Sequence, residues 1–118
     1  MPYEQESTKI YKHSFEDTYE SACLTIKRMG GKILIHDPEK RQLHAQMDKK
    51  LFGNVLGDRS KMEIQFAVND SGETSVYIYA YPLNAVGQKL MFGARKGVVE
   101  TVIEVFYDEM EKSLNQEK

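Results

Sequence analysis

The sequence has few features that would hold a small protein together other than a hydrophobic core. Its 118 residues contain one cysteine, Cys23, which excludes an internal disulfide and any metal site built from several cysteines. Residues 1–6 have neither the basic start nor the apolar run of a signal peptide. No segment approaches the roughly 20 consecutive apolar residues that a membrane span needs. These absences predict a cytoplasmic protein without a membrane span.

Motifs of catalysis are also missing. The chain has no nucleophile elbow, dinucleotide-binding fingerprint or phosphate loop. Its carboxylates fall mainly at turns and on one face of the last predicted helix, so no pair is spaced for general acid and base catalysis. Cys23 lies on the apolar stripe of the first predicted helix, where a thiol is an ordinary core residue. We therefore predict a non-enzymatic protein that needs no cofactor and no metal.

The composition indicates one folded domain. Hydrophobic residues make up 41% of the chain and the formal net charge is -2, a balance that disordered chains do not have. No tract rich in Pro, Gly or Ser marks a linker. We expect a single domain over residues 1–118, with residues 1–7 and 115–118 loosely ordered. The slightly acidic net charge argues against nucleic acid as a general partner.

Two stretches have the periodicity of amphipathic helices. In the first, Ser14 can cap the N-terminus, and Gly30 with Gly31 can supply the left-handed residue that ends a helix. Its apolar residues at helical spacing are Phe15, Tyr19, Ala22, Cys23, Ile26 and Met29. The second has an apolar stripe opposite acidic residues. The members of that stripe are Val98, Val99, Val102, Ile103, Phe106, Met110 and Leu114.

Five stretches are predicted strands, and most of them alternate apolar with polar residues, as strands with one buried face do. They are residues 8–13, 32–37, 41–48, 60–69 and 74–82. In the second of these stretches, Ile33 and Ile35 are expected on one side. The predicted fold is α+β: an antiparallel meander sheet of about five strands with two helices packed on one face, in the order β-α-β-β-β-β-α.

This element order resembles that of small uncharacterised prokaryotic domains. More distantly, it resembles the helix-grip family of lipid and hormone carriers (START and Bet v 1-like proteins), in which a long C-terminal helix lies across a curved sheet. The resemblance covers most of the chain as element order. It implies an apolar or amphiphilic ligand between the last helix and the sheet. The chain has fewer strands than that family, so a large internal cavity is not expected.

Two predicted connections nearly repeat each other. The segment KLFG at residues 50–53 and the segment KLMFG at residues 89–93 both place large apolar side chains beside Lys and Gly, whereas connecting segments are normally polar. Successive strands of a meander run in opposite directions, so the connections after the third and fifth strands emerge at one end of the sheet. The two segments are therefore predicted neighbours that form a working surface.

The expected contact surface combines cations with apolar side chains. Its members are Lys50, Leu51, Phe52, Arg59, Lys89, Met91, Phe92, Arg95 and Lys96. This composition suits a protein partner, a second copy in a homodimer, or a small anionic or amphiphilic ligand, including an anionic membrane surface. A carrier of a ligand between the last helix and the sheet is the alternative function. The apolar residues could instead plug the core, or the segment from Leu83 could begin the last helix.

Further candidate residues lie on the outer face of the predicted sheet. Tyr77, Tyr79 and Tyr81 alternate opposite the core-facing residues of the last strand, which suits either a dimer interface or a half-exposed face stabilised by cross-strand pairs. His36 and His44 flank the first hairpin turn in the same outward phase. No third ligand is spaced to join them, so a metal site is not expected.

Overall fold

A computed structural model describes residues 3–116 as two helices on a five-stranded antiparallel sheet, with one small additional hairpin. The elements are β1 (Gln5–Tyr11), α1 (Phe15–Arg28), β2 (Lys32–Asp37), β3 (Gln42–Met47), β4 (Lys50–Leu51), β5 (Asn54–Val55), β6 (Arg59–Val68), β7 (Thr74–Leu83) and α2 (Val98–Gln116).

The five long strands lie in the order β1-β7-β6-β3-β2. Strands β2, β3, β6 and β7 form an antiparallel meander, and β1 completes the sheet by pairing antiparallel with β7. Both helices contact the sheet and each other. The predicted α+β fold and its element order are therefore confirmed, and β1 and β2 are the two edge strands of the sheet.

Local signals explain where α1 begins and ends. The Ser14 side chain accepts a hydrogen bond from the Asp17 backbone N–H at 3.1 Å, as an N-cap residue does. The helix is followed by Gly30 with a φ of 80°, a backbone conformation that glycine adopts without steric cost. A side chain is also excluded at Gly31, because a Cβ there would lie 2.7 Å from Met47 Sδ. These residues fix both ends of the helix against the sheet.

The core lies between the helices and the inner face of the sheet. Phe66 and Ile78 from the sheet and Phe106 and Met110 from α2 are almost completely buried, and they belong to one continuous cluster. Apolar burial of about 25 cal/mol per Å² makes such a cluster the main source of stability. Side chains therefore occupy the region between α2 and the sheet.

Strand β1 begins earlier than predicted. It pairs along its whole length with β7, from Gln5 opposite Ala80 to Tyr11 opposite Thr74. Residues 5–7, expected in a loose end, thus belong to a strand, and Asn115 belongs to α2. Backbone hydrogen bonds to a neighbouring strand order a polar segment that has no apolar pattern of its own. Residues 1, 2, 117 and 118 of the expected loose ends lie outside the described residues.

A β-bulge in β2 corrects the prediction for Ile35. Ile33 pairs with Ala45 and Ile35 pairs with His44, so Leu34 is an extra residue without a partner in β3. One extra residue reverses the side-chain alternation beyond it. Ile33 packs against the core, but Leu34 and Ile35 are both exposed to solvent.

Candidate functional site

Two loops meet at one end of the sheet, which we call the two-loop pole: residues 48–58 between β3 and β6, and residues 84–97 between β7 and α2. The Arg95 backbone N–H donates to Asp58 Oδ2 at 2.7 Å. Arg59, the first residue of β6, donates from Nη2 to the carbonyls of Asn84 and Ala85 at 3.2 and 3.0 Å. The loops are neighbours, as the alternating strand directions predicted.

The first loop contains a small hairpin that was not predicted. β4 pairs antiparallel with β5, with Leu51 opposite Asn54. The two residues between them, Phe52 and Gly53, have φ values of 49° and 85°. Two positive φ angles are typical of a type I′ turn, which Asn-Gly forms most readily. A non-glycine residue costs roughly 1–2 kcal/mol in this backbone region, so Phe52 occupies a strained position.

The second loop begins with a compact turn built on Asn84. The Asn84 side-chain oxygen accepts hydrogen bonds from the backbone N–H groups of Val86 and Gln88, at 3.0 and 2.9 Å. The Leu90 N–H then donates to the Pro82 carbonyl at 2.8 Å. The chain after this turn crosses the pole without helical structure, because α2 begins at Val98. The alternative that the segment from residue 83 is an early part of the last helix is therefore wrong.

The apolar side chains of the pole are divided between core and solvent. Leu51 belongs to the buried core, and Leu56 packs against it from a partly buried position. The exposed large apolar side chains of the two loops are Phe52, Val55, Val86, Met91 and Phe92. The exposed fraction is 58% for Phe52 and 85% for Phe92. The alternative that the apolar residues of the loops close off the core thus holds for Leu51 and Leu56, but not for Phe52 and Phe92.

Lys89 turns away from the pole and reaches the outer face of the sheet. Its Nζ lies 3.3 Å from Glu4 Oε1 and donates to the Tyr79 hydroxyl at 2.9 Å. The same atom lies 4.7 Å from the centroid of the Tyr81 ring, a cation–π arrangement. The hydrogen bond to Tyr79 is the largest cause that raises the pKa of Lys89. Lys89 therefore connects the second loop to the sheet.

Arg95 joins the two loops through a close approach to Gly57. A Cβ at Gly57 would overlap Arg95 Cδ and Nε, so the arginine side chain lies directly on the glycine backbone. Gly57 has a φ of 101°, which L-residues rarely adopt. Both the space and the backbone angle require glycine at this position.

An open cleft of about 520 Å³ lies between the loops. Its lining includes Lys49 and Arg59, which are positively charged, Asp58, and the apolar side chains of Leu83 and Leu90. The exposed lysines Lys49, Lys50 and Lys96 lie on the same two loops. The arrangement offers apolar contact and positive charge side by side.

Besides the small hairpin, three features of the pole were not predicted from the sequence. The turn on Asn84 could have been recognised, because asparagine oxygens often bond to backbone N–H groups two residues later. The exposed Val86 in that turn follows from it. The contact between Gly57 and Arg95 has no local signal, because the two residues are far apart in the chain.

The outer face of the sheet carries a layer of hydrogen bonds. Tyr77, Tyr79 and Tyr81 all lie there, and each hydroxyl donates to a carboxylate. The acceptors are Glu6 at 2.7 Å, Glu4, and Glu63 at 2.9 Å, respectively. Burial, followed by the bond to its carboxylate, raises the pKa of Tyr81 to about 12. This layer connects the outer face of the sheet through hydrogen bonds, and a dimer through it stays a prediction.

The bulge in β2 also separates the two histidines that were expected to share a face. His36 pairs with Leu43, whereas His44 pairs with Ile35. The Tyr19 hydroxyl lies 2.9 Å from His36 Nδ1 and donates to the Gln42 carbonyl at 2.9 Å. Since a hydroxyl has one proton to donate, the imidazole is the donor in its contact with Tyr19. His36 therefore faces α1, and the expectation of one outward phase is wrong.

No metal centre is evident in the part of the chain that the structure describes, where no group of three or more His, Cys, Asp or Glu side chains is placed to hold a metal ion. Within residues 3–116, neither helix is long and apolar enough to cross a membrane.

Comparison with solved structures shows which class of fold this is. Ara h 8.0201 superposes with a TM-score of 0.63 and 8% sequence identity, covering 96% of this chain and 98% of that protein. A protein from Nitrosospira multiformis gives 0.54 and 10%, covering 94% and 92% of the two chains. A protein of unknown function from Staphylococcus aureus gives 0.51 and 14%, covering 97% and 94%.

These similarities confirm the predicted resemblance in fold. Ara h 8.0201 is a Bet v 1-like protein with the helix-grip fold, and this chain has the same layout of a β-rich sheet and a C-terminal helix. At these identities the likeness concerns the fold alone. No family model matches the sequence, and no curated protein matches it.

Proposed function

We propose that the protein is a non-enzymatic binding module that contacts an anionic, amphiphilic partner through the two-loop pole. The observation that carries the proposal is the exposure of Phe52 and Phe92 on the two neighbouring loops that line an open cleft of about 520 Å³. Five large apolar side chains are exposed on these two loops, and apolar surface concentrated in one region of a protein often marks a contact surface. The non-enzymatic part rests on the sequence, in which no catalytic motif occurs.

The strained turn at Phe52 supports this proposal. Asn or Gly would adopt a φ of 49° at less cost than a bulky aromatic residue. The ring does not offset that cost by packing in the core, since more than half of it is exposed. A strained residue whose side chain points to solvent is a reasonable indicator of function.

The cations of the pole would attract the negative group of the partner. Two lysines near this end of the sheet, Lys61 of β6 and Lys89, lie near glutamates. The exposed cations left for a partner are Lys49, Lys50, Arg95 and Lys96, because Arg59 already donates to the carbonyls of Asn84 and Ala85. Each is worth about 1 kcal/mol near an anionic lipid surface. Electrostatic attraction and apolar contact together favour an amphiphile with a negative group.

A carrier that holds its ligand between α2 and the sheet is the second candidate, and the shared fold with Ara h 8.0201 favours it. A ligand there would have to displace Phe106, Met110 and Ile78, which pack at 0% exposure. Displacing well-packed core side chains costs several kcal/mol. The cleft between the loops is already open, so contact at the pole is the better supported function.

Vesicle co-sedimentation tests the proposal. The full chain is mixed with vesicles of anionic phospholipid or of zwitterionic phospholipid, across a salt series. We expect binding to anionic vesicles that weakens as salt rises, because salt screens the cations. The variant Phe52→Asp/Phe92→Asp should lose most of the binding, since both apolar contacts are replaced by negative charge.

A matched control is available on another surface. Ile10 on β1 has the same 58% exposure as Phe52, so Ile10→Asp is a matched control for Phe52→Asp alone: it places one new negative charge on an equally exposed apolar position away from the pole and should bind like the wild type. Asp tolerates positive φ, so Phe52→Asp should stay folded, as circular dichroism would show. The proposal fails if wild-type protein ignores anionic vesicles at low salt, or if the control loses as much binding as the pole variant. A small molecule found by native mass spectrometry in the purified protein would favour the carrier instead.

A further inference from the structure

The two edge strands of the sheet differ in how they are protected. Edge strands of monomers usually carry charges that prevent pairing with another chain. On β1, Lys9 bonds to Glu111 of α2 at 2.6 Å, which places an ion pair on that edge. β2 has no neighbouring strand on its outer side within residues 3–116, and its centre is the apolar pair Leu34 and Ile35, exposed by 43% and 41%.

We propose that two copies of this chain associate through β2, paired antiparallel about a two-fold axis between Leu34 and Ile35. In that register each Leu34 lies opposite Ile35 of the other copy. Ile33 lies opposite His36, and Lys32 lies opposite Asp37. A two-fold interface of this kind repeats every contact twice, once for each copy.

Charge complementarity selects this partner. The strand KILIHD has one cation at its first position and one anion at its last, so antiparallel pairing with itself creates two Lys32–Asp37 ion pairs. Neither residue takes part in the ion pairs described within residues 3–116. Asp37 uses Oδ1 to accept the Lys40 backbone N–H at 3.2 Å, which leaves its second oxygen for a cross-strand lysine. Parallel pairing would instead place like charges together.

The bulge contributes to the same surface. Leu34 has no partner in the β3 register, and its side chain is exposed. The extra residue also turns Ile35 outward. An apolar groove of about 310 Å³, lined by Tyr19, Cys23 and His36 among others, lies between α1 and the end of β2. Exposed apolar side chains are thus collected along a strand that has no outer neighbour in the described part of the chain.

The expected dimer is weak. Six residues of strand and two exposed apolar side chains form a smaller surface than the roughly 1,200 Å² or more that stable interfaces bury. The association should therefore appear at high protein concentration, and the two ion pairs should make it sensitive to salt.

A charge-reversal cycle followed by sedimentation equilibrium tests the register. Lys32→Asp places two carboxylates opposite each other at both ends of the interface, and Asp37→Lys does the same with two lysines. Turning two attractions into repulsions should weaken the dimer roughly tenfold in each single variant. The double variant Lys32→Asp/Asp37→Lys restores opposite charges and should return to wild-type affinity. Lys12→Asp, a charge reversal elsewhere on the surface, should have no such effect.

Several results would overturn the proposed dimer. A wild type that stays monomeric up to about 1 mM, far above the range of specific complexes, overturns the proposal. So does a dimer that tolerates Lys32→Asp, or a double variant as weak as the single ones. A dimer that is lost in Phe52→Asp/Phe92→Asp but kept in Lys32→Asp would place self-association at the two-loop pole and overturn it too. If Asp37→Lys does not fold, Leu34→Lys serves instead, because it adds a like charge beside the axis on an exposed side chain and should also abolish the dimer.

Discussion

Replacing Gly57 by alanine is the most direct test of how the two loops are joined. The new Cβ would overlap Arg95 Cδ and Nε and would sit on a backbone with a φ of 101°. Gly87 provides a control in the other loop, because its φ of 86° is also positive but a Cβ there meets nothing within 4 Å. Gly87→Ala therefore carries the backbone cost alone.

The magnitudes follow from these two contributions. A positive φ in a non-glycine residue costs roughly 1–2 kcal/mol. Displacing the arginine side chain from the glycine surface adds about 1 kcal/mol of lost packing. For a chain of this length, about 1 kcal/mol corresponds to a shift of about 4 °C in the melting temperature. We expect Gly87→Ala to lower the melting temperature by about 4 to 8 °C, and Gly57→Ala to lower it by about 4 °C more.

Differential scanning calorimetry of a double-mutant cycle isolates the contact. In an Arg95→Ala background the overlap disappears, so Gly57→Ala should then cost only as much as Gly87→Ala. Equal costs of Gly57→Ala in the wild-type and Arg95→Ala backgrounds would show that the arginine does not lie on Gly57. The geometry on which the two-loop pole depends would then be refuted.

Two further predictions concern buried polar groups. Ser60 Oγ is buried and has no hydrogen-bond partner in the part of the chain described, so Ser60→Ala should raise the free energy of unfolding by about 1 kcal/mol in urea titrations. Thr74→Val is the control, because it removes the 2.9 Å hydrogen bond to the His13 carbonyl and should lower the free energy of unfolding by about the same amount. A Ser60→Ala variant that is less stable than the wild type would contradict the prediction. Burial raises the pKa of Tyr19 and of Tyr81 from 10.0 to about 12. Between these values the unfolded chain releases protons that the folded protein keeps. The stability that these tyrosines contribute should therefore be complete below about pH 10 and fall as the pH rises towards 12. Phenolate absorbance and thermal unfolding across this pH range check the effect. Tyr19→Phe should make the dependence of stability on pH less steep. Titration of all tyrosines near pH 10 would count against the prediction.

The local pattern of the chain was sufficient to predict most of the architecture. The cap at Ser14, the glycine after α1 and the apolar stripe of α2 are each set by neighbouring residues, so their signals are present in any short window. The meeting of the two loops also followed from the sequence, because alternating strand directions place every second connection at one end. The position of the two-loop pole in the fold was therefore accessible without coordinates.

The bulge at Leu34 was not accessible in this way. One extra residue in an edge strand leaves the apolar pattern almost unchanged, yet it moves Ile35 to solvent and His36 towards Tyr19. Only pairing with β3 determines where the register shifts. The prediction for both residues depended on an uninterrupted alternation, which is why it was wrong.

The direction of the long side chains was decided by tertiary contacts as well. Lys89 was expected with the other cations, but Glu4, which is remote in sequence, and Tyr79 on the preceding strand hold it against the outer sheet. In the same way, the fold buries Leu51 while leaving Phe52 in solvent, although the two are adjacent in the chain. The sequence alone determined which segments become helices and strands and which loops meet, because those depend on periodicity and chain direction. The tertiary structure alone decided which apolar and charged side chains of those loops are free to contact a partner, because that depends on neighbours brought together only by folding.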